Sequence, residues 1–119
     1  MAEGMNIEAV MRYVPVSPQK ARLVIDLVRG LNARAALEVL QFMPQAAARP
    51  VYKLLRSAIA NAEENFGISR DDLYVHEIVA NQGPTRRWRR FGARGRFKPI
   101  LRRSSHISIV LREQEKIET

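Results

Sequence analysis

Two β-patterned stretches in the last two-fifths of the chain, and the length of what separates them, leave few folds open. Ile107, Ile109 and Leu111 alternate with His106, Ser108 and Val110, the period-two signature of a half-buried strand. Leu73 to Gln82 is also rich in β-formers, with Tyr74, Ile78 and Ala80 on one expected face and Val75 and Val79 on the other. The 23 residues from Gly83 to Ser105 form a far longer connection than a hairpin needs, and such lengths in compact domains are usually functional or disordered. If the two strands pair antiparallel, the insert must leave the body as an arm. An extended limb of about ten residues at ~3.3 Å per residue reaches roughly 30 Å.

Charge is concentrated in the same place. Residues 78 to 112 contain ten Lys or Arg and no Asp or Glu, whereas the remainder has ten basic and twelve acidic residues, so the formal +8 divides into +10 and −2. A near-neutral body bearing a polycationic arm attracts phosphates, and each phosphate contact releases condensed counterions. The stretch RRWRRFGARGRFKPILRR, Arg86 to Arg103, interleaves its cations with Trp88, Phe91 and Phe97. Guanidiniums suit phosphate, aromatics suit base stacking, and Gly92 and Gly95 permit close backbone approach. A solvated loop usually mixes charge signs. A membrane-surface helix is disfavoured by Gly92, Gly95 and Pro99 and by charges that do not segregate to one face. These residues alone do not separate RNA from DNA. In isolation the arm is expected to be poorly ordered, because its charges repel and no core holds it.

The rest of the chain predicts the body. Met5, Ile7, Ala9, Met11 and Tyr13 alternate with Asn6, Glu8, Val10 and Arg12 as a strand, and Val14-Pro15-Val16 favours an extended exit. Ser17-Pro18 supplies a helix start, Val24, Leu27, Val28 and Leu31 form one stripe, and Gly30 marks the stop. Asn32 caps a short second helix with Ala33, Ala36, Leu37 and Leu40 inward, ended by Pro44. A third helix is expected from about Gln45 to Asn65, with Ala47, Val51, Leu54, Ala58 and Ala62 inward and Gly67 after it. Pro50 is tolerable there only in the first turn. The expected fold is α+β: three helices packed on a small three-stranded antiparallel sheet, with a long protruding β-hairpin, all in one domain of residues 1–119. The arm spans 78–107.

Chemistry is sparse. Without cysteine there is no disulfide and no thiolate site, which fits a reducing compartment. His76 and His106 could face each other across paired strands, but two histidines without a third ligand make a weak metal site. No phosphate loop or reactive cluster appears, so neither cofactor nor enzymatic activity is expected. The first fifteen residues resemble no signal or transit peptide, and nowhere do about 18 apolar residues run together, so no membrane span is expected.

Several spaced motifs resemble the bacterial large-subunit ribosomal protein family of the L twenty-two type. They are Ser17-Pro18-Gln19-Lys20-Ala21-Arg22-Leu23-Val24 with Asp26 and Arg29-Gly30, then Ser57 to Glu63 with Asn65, then Gly83-Pro84, and Gly95-Arg96 followed by His106 to Leu111. The resemblance implies a body on the outer surface of the large subunit and a hairpin inserted into its RNA. It also implies early binding in assembly, a hairpin tip lining the polypeptide exit tunnel, and a cytoplasmic, ribosomal location. Implied partners are large-subunit (23S-type) ribosomal RNA, neighbouring ribosomal proteins and the nascent polypeptide, with no membrane and a monomer when free. The alternative is a free-standing RNA- or DNA-binding regulator.

The RNA-binding candidates are Lys20, Arg22, Arg86, Arg87, Arg89, Arg90, Arg94, Gly95, Arg96, Lys98, Arg102, Arg103 and His106. By resemblance, the hairpin limbs run from Ile78 to Arg87 and from Arg96 to His106, and the tip lies around Trp88 to Arg94. Its tunnel-facing residues are Arg87, Trp88, Arg89, Arg90, Phe91, Gly92 and Arg94. Tip changes in this family alter responses to macrolides and stalling peptides, which singles out Arg86, Arg87, Trp88, Arg94 and Arg96. Where the family commonly has Pro-Arg before Ala-x-Gly-Arg, this chain has Phe91-Gly92, without that fixed bend and that cation.

Overall fold

The computed structural model describes residues 6–84, 86–91 and 97–113, and the side chains of 6–84 and 103–113. In chain order the elements are β1 (Ile7–Val14), α1 (Pro18–Val28), α2 (Ala33–Gln41), α3 (Ala48–Phe66), a 3-10 turn (Arg70–Asp72), β2 (Leu73–Gln82), β3 (Arg86–Phe91), β4 (Phe97–Arg102) and β5 (Ser105–Glu113). β5 lies between β1 and β2 in an antiparallel sheet, while β3 and β4 pair in a separate two-stranded ribbon. The expected α+β plan is therefore the one formed. The molecule is long and narrow, 73 × 24 × 19 Å along its principal axes.

The helices cover one face of the three-stranded sheet. Ser17 caps α1 by accepting from the Lys20 amide, and Pro18 occupies a first-turn position where its missing N–H costs nothing. The buried stripe of α1 is Ala21, Val24, Ile25 and Val28. Leu27, expected inside, is 56% exposed, and Ile25 takes that role. The observed stripe keeps helical spacing but is rotated toward Ala21, whose small side chain permits close approach. Asn32 caps α2 through the Arg34 amide, and Ala33, Ala36 and Leu40 are buried. α3 begins at Ala48, so Pro50 falls within its first turn, and Gly67 ends it in the left-handed conformation at φ 65°.

Two bulges correct the simple alternation. The register of β2 against β5 shifts between Val75 and Glu77, so Val75 joins Leu73, Ile78 and Ala80 on the buried face instead of opposing them. In β1, Met11 pairs with Ile107 and Val14 with Ser105, leaving Arg12 and Tyr13 opposite the single residue His106. An extra residue changes the phase of everything after it. Val14 is buried and Tyr13 is turned out, against the expectation that placed Tyr13 in step with Ile7. Ile107, Ile109 and Leu111 of the central strand are each at most 1% exposed, as their alternation predicts.

The free edge of β2 is covered. Gly30 N–H donates to the Val75 carbonyl at 2.9 Å, and Val75 N–H donates to Leu31 at 2.9 Å. Further along, Arg29 donates to the Ile78 carbonyl at 2.8 Å and Arg22 to the Ala80 carbonyl at 3.0 and 3.2 Å. An uncovered edge is a template for pairing with another chain. Arg22 on α1 and Arg29, which caps its C-terminal end, close this one where the strand runs toward the arm.

The junction of body and arm is tightly built. It lies between the pair Gln82↔Ser105 of the three-stranded sheet and the pair Arg86↔Arg102 of the ribbon. Gly83 N–H donates to the Ser104 carbonyl at 2.9 Å, and Ser104 Oγ donates to the Pro84 carbonyl at 2.8 Å. Ser105, fully buried, donates to the Val16 carbonyl and ties the junction to the segment before α1. A Cβ on Gly83 would sit 2.5 Å from Ser104 Oγ and 3.3 Å from the Ser104 backbone. Gly83→Ala is therefore expected to lower stability by about 1–3 kcal/mol, measured by urea unfolding. Adding Ser104→Ala should restore part of the loss.

Candidate nucleic-acid interface

The arm is a ribbon of opposed cations. In the register of β3 and β4, Arg86 is opposite Arg102 and Arg90 opposite Lys98, while Arg87, Trp88 and Arg89 oppose Leu101, Ile100 and Pro99. The last described pair is Phe91↔Phe97, so the ladder continues beyond Trp88 and places Trp88 to Phe91 in paired strand. Like charges directly opposite each other destabilise a two-stranded ladder. No Asp or Glu lies anywhere from 78 to 112 to offset them. An external anion can do so. Of the expected site residues, Gly92, Arg94, Gly95 and Arg96 lie outside the described residues.

At the root of the arm the described side chains divide by role. Lys20 and Arg103 are exposed and line one groove of about 720 Å³, together with Val16, Ser17, Leu23 and Ala47. The groove unites the first turn of α1 with the start of the arm, so these two candidates belong to one surface. Arg22 is differently engaged, its guanidinium bound to the Ala80 carbonyl. Arg29, absent from the expected set, braces the same strand and pairs with Asp26 at 2.7 Å. The seven-residue spacing of Arg22 and Arg29, from the first turns of α1 to its C-terminal cap, is the signal that could have linked the pair.

His106 accepts at Nδ1 from the Tyr13 backbone N–H at 3.2 Å. It lies opposite Asn81 in β2, not opposite His76, so the two histidines do not face each other. His76 sits at the β2 bulge, where its Nδ1 is 3.2 Å from the Tyr74 hydroxyl. Among the described residues no group of three or more His, Asp or Glu is placed to hold a metal ion. No helix of the described residues is long and apolar enough to cross a membrane.

The geometry is thus a covered sheet with a braced edge, extended by a cationic ribbon. The family model described as ribosomal protein L22p/L17e matches residues 9–112. The chain belongs to this family. The match spans the body and the arm together, so the ribbon is part of the family's plan and not an appendage to it. Membership makes the chain a structural protein of the large ribosomal subunit, a ribonucleoprotein component acting in translation, in a family that is structural and not enzymatic.

Proposed function

We propose that this chain binds large-subunit ribosomal RNA chiefly through the β3–β4 ribbon and supports early assembly of the subunit. In this reading the ribbon's cations neutralise phosphates of RNA segments that otherwise repel, and the body fixes where the ribbon points. The observation that carries it is the segregation of charge: ten cations and no carboxylate in 78–112, on a limb that leaves a body of net −2. Lys20 and Arg103 extend the contact onto the body, and His106 extends it onto the sheet. The distal residues Arg87, Trp88, Arg89, Arg90, Phe91, Gly92 and Arg94 line the exit tunnel and meet the nascent polypeptide. The same reading gives neighbouring ribosomal proteins as further partners, a cytoplasmic ribosome as the location, and a monomer before assembly.

Filter binding of the purified chain to large-subunit RNA tests this. Affinity is expected to fall steeply as salt rises, because each phosphate contact releases about 0.7–0.9 of a counterion. A flat salt response contradicts the reading, and stronger binding to an unrelated duplex DNA at matched salt favours a free-standing regulator.

A further inference from the structure

The arm's root presents an aromatic platform that no charge argument anticipates. Tyr13 is 64% exposed, yet it is not a loose side chain. Its backbone adopts φ 58°, the only positive φ of a non-glycine residue in the described chain. Bulky residues rarely occupy this region, and such strain persists where the surrounding structure over-determines it. Here the surroundings are identifiable. The β1 bulge sets Arg12 and Tyr13 against His106, the Tyr13 amide donates to His106 Nδ1, and the two rings meet edge to face at 5.0 Å and 88°.

The hydrogen bond also fixes the imidazole. A backbone N–H can only donate, so Nδ1 is the acceptor and the ring proton resides on Nε2. His106 thereby offers an N–H donor beside an exposed, pre-oriented aromatic face. Three residues along the strand path lies exposed Arg103, and Arg12, also exposed, occupies the bulge itself. The carboxylates on this face of the sheet, Glu8 and Glu77, register with Val110, four residues or about 13 Å from His106 along β5. The neighbourhood of Tyr13 is aromatic, donor-rich and cationic.

We infer that Tyr13 and His106 form a nucleotide-binding subsite at the root of the arm, in which an unpaired RNA base stacks on the Tyr13 ring and His106 Nε2–H donates to the same nucleotide. The inference rests on the RNA-binding reading above and adds a contact of a different kind. Arm cations meet phosphates, whereas this subsite holds a base. Single-stranded bases stack on aromatic side chains with little sequence preference, and a ring already held in place loses little freedom on binding.

Three substitutions test it by filter binding to large-subunit RNA across a salt series, with thermal melting of each variant. Tyr13→Ala removes the ring and keeps the backbone strain, Tyr13→Gly removes both, and Tyr13→Phe keeps the ring. Affinity is expected to fall about 5- to 150-fold for Tyr13→Ala and Tyr13→Gly, the range for losing one stacked base. The salt slope should be unchanged, since no phosphate contact is lost. Tyr13→Phe should stay within about twofold of the unaltered chain, because its ring stacks equally well. Relief of strain should hold the melting temperature of Tyr13→Gly within about 4 °C of the unaltered chain, showing that its lost affinity is not lost fold.

Wild-type affinity in Tyr13→Ala and Tyr13→Gly overturns the subsite while leaving RNA binding intact. Affinity lost in Tyr13→Ala but recovered in Tyr13→Gly overturns it too, since backbone geometry alone would then matter. Loss in Tyr13→Phe equal to that in Tyr13→Ala rules out stacking. Failure of the unaltered chain to bind this RNA overturns the broader reading and the subsite together.

Discussion

Replacing Arg86, Arg87, Arg89 and Arg90 together by Gln is expected to weaken binding to large-subunit RNA by on the order of 10²- to 10³-fold near physiological salt. The salt slope should fall by about 3–4, close to one per lost phosphate contact. Glutamine keeps most of the side-chain length and polarity, so the loss isolates charge. The comparison that gives the experiment force is Arg49→Gln with Lys53→Gln, two exposed cations in α3. A protein bound by net charge alone would lose comparable affinity per charge removed from either place. Segregation of charge onto the ribbon predicts little change from the α3 pair. The four β3 changes should also leave the body's unfolding nearly untouched, because β3 pairs only with β4 and stands outside the three-stranded sheet. Removing the opposed pairs Arg86↔Arg102 and Arg90↔Lys98 should if anything relieve repulsion within the ribbon.

Ile109→Ala is expected to have the largest effect on the fold, a loss of about 2–5 kcal/mol read from urea unfolding. Ile109 is 1% exposed in the central strand, in register with Ala9 on one side and Ile78 on the other. The cavity cannot be closed cheaply, since β5 is held from both sides. Against a total of about 5–15 kcal/mol for a domain this is a large share. A drop of roughly 10–20 °C in melting temperature should accompany it. RNA affinity should decline only where the body itself unfolds, because Ile109 faces the helices and not the arm. Its neighbour Val110, on the other face, should tolerate alanine with far smaller loss.

Much of this architecture was legible because the elements announce themselves locally. Ser17-Pro18, Asn32 and Gly67 set helix ends through capping groups and through glycine's freedom in the left-handed region, and each acts where the sequence predicts. The alternation of Ile107, Ile109 and Leu111 gave the central strand because no bulge interrupts those three. The strands with bulges were misread in phase. Val75 and Tyr13 each lie at an inserted residue, and a bulge leaves no mark in hydropathy because it is decided by the partner strand. Leu27 of the α1 stripe was placed inward for a related reason, while Val24 and Val28 are buried as expected. Leu23, Leu27 and Ile25 are similar in hydropathy, and only packing against the sheet chooses Ile25.

The candidate interface was legible as charge and not as geometry. The arm's cations stand out in the sequence because no carboxylate interrupts them. That Arg22 would serve a β2 carbonyl while Lys20 stays exposed follows from which side of α1 meets the edge strand. Tyr13 was invisible as a surface residue, since simple alternation sends it inward. These cases share one cause: tertiary pairing assigns a direction that residue type leaves open. The resulting division of labour is physical. Arg22 and Arg29 close the sheet edge, Gly83 and Ser104 set the junction, and Lys20 and Arg103 stay exposed at the root of the arm.

The ribbon is proposed as the chain's principal RNA-binding element, inserted among phosphates of the large subunit. A density map of the large subunit assembled with this chain tests it most directly. The expected result is β3 and β4 embedded in ribosomal RNA, with phosphates adjacent to Arg86, Arg90, Lys98 and Arg102 and the body near the subunit surface. A ribbon projecting into solvent, with the body making the RNA contacts, would contradict it.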